Sequence, residues 1–400
     1  MIMTTSPPKP VWWPHFTSPV RSTTLTARLG RVVGIAVALC FGTGLLSHYQ
    51  YHPWAWLPVP AAPMWGYRLT QGVHVATGIA CIPLVLIKLW SVYPNLFRFP
   101  PVRSLRHAVE RLSIAVLVGA LLVQLVTGLM NVLLWYAFGW DFVPVHYALA
   151  WVVAGSVLLH IAVKLPDIRY GLGTRVADGD VLTEVGWADN PVSTSNAGPQ
   201  PPPSTPALSR RGVLLATGIG VGAVVVTTVG QTLTPLRRLG LLAIRHPDQG
   251  PQGVPVNRTA AQAGVITRAV DPGWALAVHG PTSFRLELSA LEEMAQHEAS
   301  LPIACVEGWS VQADWRGLRL LDLVERAGGG PDSVVEVRSL ERVGFRTSQI
   351  TGPQLSAALL ATHLNGERLN VDHGYPVRLI APNRAGVLNT KWLNEIEVLA

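Results

Sequence analysis

Five runs of apolar residues, each about as long as the roughly 20 residues a helix needs to cross a bilayer, fill most of positions 32–233. They begin at Val32 (VVGIAVALCFGTGLLSHY), Leu69 (LTQGVHVATGIACIPLVLI), Leu112 (LSIAVLVGALLVQLVTGLMNVLLWYAF), Phe142 (FVPVHYALAWVVAGSVLLHIAV) and Gly212 (GVLLATGIGVGAVVVTTVGQTL). From about residue 250 the pattern changes to short runs. WALAVHG, VVEVRS, YPVRLIAP and NEIEVLA read as strands; ELSALEEMAQ, LRLLDLVERAG and GPQLSAALLATHL read as helices. The pattern predicts an all-α transmembrane helical bundle followed by a mixed α+β domain with one core. The expected divisions are a disordered tail (1–27), a four-helix bundle (28–175), a Pro-rich linker (176–208), a fifth helix (209–236) and the α+β domain (250–400).

Composition agrees: the chain is 49% hydrophobic and 14% charged, too apolar for an ordinary soluble protein. The net charge of +7 suggests nucleic acid at first. The basic residues, however, sit beside the apolar runs, where membrane topology accounts for them, and no nucleic-acid partner is expected. Arg21, Arg28 and Arg31 precede the first run. Arg98, Arg103, Arg106 and Arg111 separate the second from the third. Lys164, Arg169, Arg175, Arg210 and Arg211 separate the fourth from the fifth. The positive-inside rule then puts the N-terminus and the linker in the cytoplasm and the α+β domain outside, in a multi-pass protein of the cell membrane. Trp54, Trp56, Trp65, Trp135 and Trp140 crowd the expected outer ends, as interfacial anchors do.

Ionisable residues inside spans are costly and are functional candidates. His74 and His146 fall near the outer ends of the second and fourth spans. His160 lies fourteen residues beyond His146, roughly 21 Å deeper and within about 40° of the same helix face, and His107 precedes the third span. Two pairs follow, His74 with His146 and His160 with His107. Each suits axial ligation of a haem iron, and each is also compatible with plain interfacial residues. The region 28–175 resembles the four-helix b-type cytochromes of membrane redox enzymes. The resemblance implies one or two haem b groups and electron exchange with a quinone or another carrier.

Three cysteines cannot build a disulfide framework. Cys40 and Cys81 lie in apolar runs; Cys305 alone lies in the polar C-terminal part. A lone Cys is either a buried inert thiol or the single protein ligand of a metal whose other ligands come from a cofactor, a role that soft sulfur suits. The segment CVEGWS (305–310) with VQADWRGLRLLDLVERAG after it, the C-terminal LNGERLNVDHGYPVRLIAPNRAGVLNTKWLNEIEV (364–398) and PVNRTAAQAG (255–264) together resemble the sulfite oxidase family. CVEGWS is especially similar to the CVEAWS segment of its periplasmic methionine sulfoxide reductase branch. The resemblance implies a sulfite oxidase-type fold binding molybdopterin with molybdenum. Cys305 would be the metal ligand and the catalytic residue. Arg378 and Lys391 would hold the pterin phosphate, with Arg384 and Asn389 nearby. Asn257, in a segment expected to enter a strand, would approach the metal or the pterin. Trp309 either lines the site or belongs to the core.

SRRGVLLATG (209–218) resembles a twin-arginine signal, as a folded cofactor domain that crosses a membrane requires; Arg210 and Arg211 also serve as plain topological anchors. The function expected from all this is a membrane-bound molybdopterin-dependent oxidoreductase. It would exchange an oxygen atom with a small oxo-donor or oxo-acceptor, an S-oxide or N-oxide being favoured, and would pass electrons through haem b. The alternatives are a sulfite dehydrogenase-like oxidase and a non-catalytic redox-assembly or binding protein.

Overall fold

The computed structural model describes residues 20–54, 56–97, 101–102, 104–173, 209–230, 234–247, 249–344 and 346–399; the expected tail up to residue 19 and the whole linker 176–208 lie outside the described residues, as do Arg98, Arg103 and Arg175. The chain divides into two compact units, Met1–Phe41 with Thr77–Val225, and Gly42–Ala76 with Val226–Ala400.

Among the described residues five helices are long and apolar enough to cross a membrane: α1 (Thr23–Tyr51), α2 (Gly66–Val92), α3 (Leu105–Val132), α4 (Phe142–Gly173) and α5 (Arg210–Val229). They fall on the five apolar runs; α1, α2 and α4 extend beyond theirs, while α3 and α5 start earlier and stop before their runs end. α1 starts inside the stretch expected to be a tail. The Ser22 hydroxyl accepts the Leu25 backbone N–H at 3.0 Å, the bond an N-cap makes, and Leu25 and Leu29 pack with Val213 of α5. In the first unit the start of α1 meets the end of α2: Arg21 Nε donates to the Trp90 carbonyl at 3.2 Å and its guanidinium lies over the Trp90 and Tyr93 rings. Lys88 Nζ donates to the Thr26 carbonyl at 2.6 Å. The start of α3 meets the end of α4 through Lys164 and Glu110, 2.9 Å apart. Arg210, at the start of α5, donates to the Val20 carbonyl at 3.4 Å. The basic ends of the five helices therefore gather at one end of the first unit, as strict up-and-down alternation requires.

The second unit contains two five-stranded sheets. Two single-turn helices, α6 (Ala260–Ala263) and α7 (Ile266–Ala269), lead into β1 (Ala275–His279) and β2 (Phe284–Glu287), then α8 (Leu288–Glu293). β3 (His297–Ala304) and β4 (Ser310–Arg319) follow, then α9 (Leu320–Arg326), β5 (Val334–Ser339), β6 (Thr347–Ile350) and α10 (Gly352–Ser356). The chain ends with β7 (Leu359–Leu364), β8 (Glu367–Arg368), β9 (Arg378–Ile380) and β10 (Leu393–Leu399). The first sheet runs β2-β1-β10-β5-β6 with only β1 and β10 parallel. The second runs β3-β4-β7-β8, with β9 also on β7, and is wholly antiparallel.

Three expectations are corrected. GPQLSAALLATHL is helical only to Ser356 and then becomes β7. On β7, Leu360 packs into the cluster of the first sheet while Leu359 and Ala361 pack into a second cluster with Cys305 and Trp309. A strand buried on both faces is continuously apolar and loses its alternation, so the run mimics a buried helix. The same two clusters replace the single expected core. PVNRTAAQAG enters no strand: it is a loop ending in α6, started by a capping box between Thr259 and Gln262.

β4 slips register against β7 between Arg316 and Gly317, and there the two backbones approach so closely that a Cβ on Gly317 would lie 2.0 Å from the Leu360 carbonyl oxygen. Gly317→Ala should therefore cost the domain at least about 1–3 kcal/mol, the usual range for overpacking. Denaturant unfolding of the variant would check it; an unchanged midpoint would mean that the strands separate freely at this point.

Candidate functional site

One pocket of the second unit is lined by Pro255, Asn257, Ile303, Cys305, Trp309, His373, Arg378, Gly386 and Lys391. Five expected residues, Asn257, Cys305, Trp309, Arg378 and Lys391, are thus brought together, the outermost of them 134 positions apart in sequence.

Cys305 follows the last residue of β3, whose final four positions are all buried, and opens the tight connection to β4. Its N–H donates to the Trp309 carbonyl at 2.9 Å, and its carbonyl accepts the Gly308 N–H at 3.1 Å. Gly308 has φ +97°, a conformation few other residues accept. Trp309 Nε1 donates to Glu307 Oε2 at 2.9 Å, and Arg245 Nε lies 3.7 Å from the same oxygen. Burial pushes the Glu307 carboxyl up, while the Trp309 N–H and Arg245 pull it back. Burial, then the neighbouring Glu307, push the Cys305 thiol well above its ordinary value. Free of a cation the sulfur keeps its proton, so a metal that binds it must displace that proton.

The same pocket is lined by two cations, Arg378, which is buried, and Lys391, which is partly buried. Arg378, on β9, donates to the His373 and Asn389 carbonyls, both at 3.0 Å, with its guanidinium over the Trp315 ring. Burial lowers it to about 9. Lys391 donates to the Arg258 and Asp372 carbonyls at 3.0 and 2.8 Å. Burial, then Arg378, lower it to about 7. Gly374, at φ +110°, lets the chain pass between them: a Cβ there would lie 3.0 Å from Arg378 Cβ and 3.1 Å from Lys391 Cβ. Arg378 Nε and Asn389 Nδ2 are buried with no hydrogen-bond partner among the described residues. Two cations held by neutral carbonyls, one of them buried with an unused donor at Arg378 Nε, suit an anion.

Arg384 does not line the pocket. Its guanidinium is used up on Leu388 O, Gln354 Oε1 and Gln349 O, which braces the 382–389 loop from within. Asn389 reaches the pocket only through the Arg378 bond. Sequence reasoning missed His373, Pro255, Ile303 and Gly386 as lining residues, and Arg245 and Glu307 as the brace of Trp309. His373, Pro255, Gly386 and Glu307 lie inside the quoted segments, whereas Ile303 and Arg245 lie outside them. His373 Nε2 pairs with the Pro251 carbonyl at 2.8 Å, so Nε2 bears the proton, and burial, then Arg378, lower the ring to about 4.

Of the expected haem ligands, His74 belongs to the second unit and His107, His146 and His160 to the first. His74 and His146 each face a glycine: a Cβ on Gly44 would lie 2.8 Å from His74 Cε1, and one on Gly128 3.5 Å from His146 Cε1. His160 sits in the field of Lys88, Lys164 and Glu110. Among the described residues no group of three or more His, Cys, Asp and Glu could hold a metal ion. A metal at Cys305 would thus take its remaining ligands from a cofactor.

Comparison with known proteins bears on this pocket. Residues 263–400 match the family model of the oxidoreductase molybdopterin binding domain. Sulfite oxidase of Arabidopsis thaliana is 34% identical over 115 residues, 23% of this chain and 29% of that protein. The uncharacterized oxidoreductase YuiH of Bacillus subtilis is 32% identical over 128 residues, 31% of this chain and 64% of that protein. The chain therefore spans less than two thirds of either relative. The sulfane dehydrogenase SoxCD of Paracoccus pantotrophus superposes with a TM-score of 0.30 at 17% identity, over 32% of this chain and 40% of that one. Residues 263–400 are thus similar to molybdopterin-binding oxidoreductase domains, and the pocket's residues suit such a cofactor: a soft thiol, and the cations Arg378 and Lys391 for a phosphate.

The His373 ring gives a pH test. Its folded value, about 4 against an ordinary 6.5, means that the unfolded chain binds the proton more readily. Stability is therefore full above about 6.5 and falls as the pH drops through 6.5 towards 4, by about 3 kcal/mol in all. His373→Gln, which keeps a donor for Pro251, should flatten that part of the profile. Equal acid losses in variant and parent, measured by denaturant titration, would show that the ring is not held neutral.

Proposed function

We propose that the chain is a membrane-anchored molybdopterin-dependent oxidoreductase that exchanges an oxygen atom with a small oxo-donor or oxo-acceptor. The observation that carries the reading is Cys305 and the cation pair Arg378 and Lys391 in one pocket. When bound, the cofactor supplies the oxygen-atom exchange and the two-electron redox change. Cys305 gives the metal its thiolate. Arg378 and Lys391 receive the pterin phosphate, and that anion restores to Lys391 the charge that burial opposes. Trp309, held by Glu307 and Arg245, walls the sulfur from water. Asn257, whose side chain accepts the Arg258 N–H at 2.9 Å, bounds the pocket on the side of the loop before α6.

The five apolar helices support a location in the cell membrane, with the N-terminus cytoplasmic and the molybdopterin domain outside. Arg210 and Arg211 would then act as a twin-arginine export signal. One or two haem b groups on His74, His146, His160 and His107 would carry single electrons to or from a quinone or another carrier. Reduction of an S-oxide or N-oxide is favoured by the likeness of CVEGWS to the methionine sulfoxide reductase branch. A sulfite dehydrogenase-like oxidase is the second reading, favoured by the sulfite oxidases among the relatives.

Cys305→Ser should lower turnover more than about a hundredfold and leave the haem spectrum unchanged; turnover retained in a variant of full molybdenum content would remove Cys305 from the reaction. His74→Ala and His146→Ala should each deplete a b-type haem absorption in the purified protein. Loss of haem on His160→Ala alone would reassign the pairing.

A further inference from the structure

Gln71 is a polar residue on the apolar helix α2, and it is buried. A buried amide costs free energy unless it is hydrogen-bonded. Its Nε2 donates at 2.8 Å to the Val306 carbonyl, 235 positions away and one residue past Cys305. The same peptide group has two ends. Its oxygen takes the Gln71 bond, and its N–H belongs to Glu307, in the turn that Cys305 opens and that the Cys305 N–H closes on the Trp309 carbonyl. One turn along α2, Val75 meets the other side of this connection: a Cβ on Gly308 would lie 2.8 Å from Val75 Cγ1. Tyr67, also on the first turns of α2, packs against Ala304, the residue before Cys305, and against Ala385.

A second anchor lies beside the first. Asn383, at φ +52°, donates through Nδ2 to the Pro60 carbonyl at 2.8 Å and accepts from Gln50 Nε2 at 2.7 Å, and Gln50 Oε1 accepts the Thr70 hydroxyl at 2.7 Å. Its backbone N–H donates to the Met64 carbonyl at 3.2 Å. Three residues on, Gly386 lines the pocket and closes on the Ala304 carbonyl so tightly that a Cβ would lie 2.8 Å from it.

We infer that the segment Gly42–Ala76, which lies outside the stretch matching the family model, completes the Cys305 site, and that Gln71 is a positioning residue that fixes the Val306 peptide group in the turn that Cys305 opens. The inference rests on the reading of Cys305 as the metal ligand. Groups that orient a ligating side chain tune the metal it holds. A residue that fixes the backbone next to the ligand acts on the metal without touching it.

The test uses the full-length protein in detergent with Gln71→Leu, a change that keeps the helix apolar, and Gly308→Ala, which displaces the connection from the Val75 side. In the cofactor-free protein, peptide-resolved alkylation of Cys305 by iodoacetamide and hydrogen exchange of the Cys305 amide, which donates to the Trp309 carbonyl, should both accelerate about tenfold in each variant, the factor that one lost hydrogen bond sets. In the loaded protein the thiolate-to-metal charge-transfer band should shift at unchanged molybdenum content, which loss of stability alone would not produce. Parental alkylation and exchange rates in Gln71→Leu overturn the inference. If that variant does not fold, parental rates in Gly308→Ala overturn it instead. A parent that holds molybdenum but lacks the charge-transfer band refutes Cys305 as the ligand, while the alkylation arm still judges Gln71.

Discussion

The second unit is organised around one electrostatic demand: Arg378, buried, and Lys391, partly buried, line one pocket, and among the described residues no carboxylate is bonded to either. A buried charge is costly unless it is paired. Backbone carbonyls from residues 258, 372, 373 and 389 carry part of the load, and the Trp315 and Trp392 rings lie within cation–π range. Neutral carbonyls do not cancel charge, so both groups are pulled towards deprotonation. An anionic ligand relieves that strain, and the domain is therefore built for an occupant.

The thiol in the same pocket is under the reverse demand. Burial holds it protonated, and a cation close to the sulfur would release the proton. One pocket thus asks for both negative and positive charge, several elements contributing. A phosphate-bearing organic ligand that carries a soft metal satisfies both, whereas a simple anion or a bare metal ion satisfies one. Gly386, which lines the pocket, and Gly374, between Arg378 and Lys391, permit this because each lets backbone pass where a side chain would collide.

The apolar helices were legible in the sequence because a continuous run of about 20 apolar residues has few other readings. Cys305, Arg378 and Lys391 were legible through segments whose order matched a family pattern. β7 was not, since burial on both faces erased the alternation that marks a strand. Arg384 carried the right charge in the right segment, but its donors are consumed by Gln349, Gln354 and Leu388, a pairing that no local pattern reveals. The brace of Arg245 and Glu307 on Trp309, and the Pro251 contact that fixes the His373 proton, join residues between 2 and 122 positions apart; most such contacts become visible only once the chain is folded.

The reach of the site also exceeds the matched stretch. Pro255 and Asn257 line the pocket from before residue 263, and Arg245 braces Trp309 from further upstream. Gln50, Thr70 and Gln71 come from helices whose remaining length is apolar. Polar side chains on such helices are expensive where they face lipid and inexpensive where a protein surface supplies acceptors. Their placement on Asn383 and on the Val306 carbonyl satisfies them, and in turn holds the two loops that flank Cys305. The last turn of α1 and the first turns of α2 therefore belong to the second unit, and they meet the loops that flank Cys305 through these hydrogen bonds.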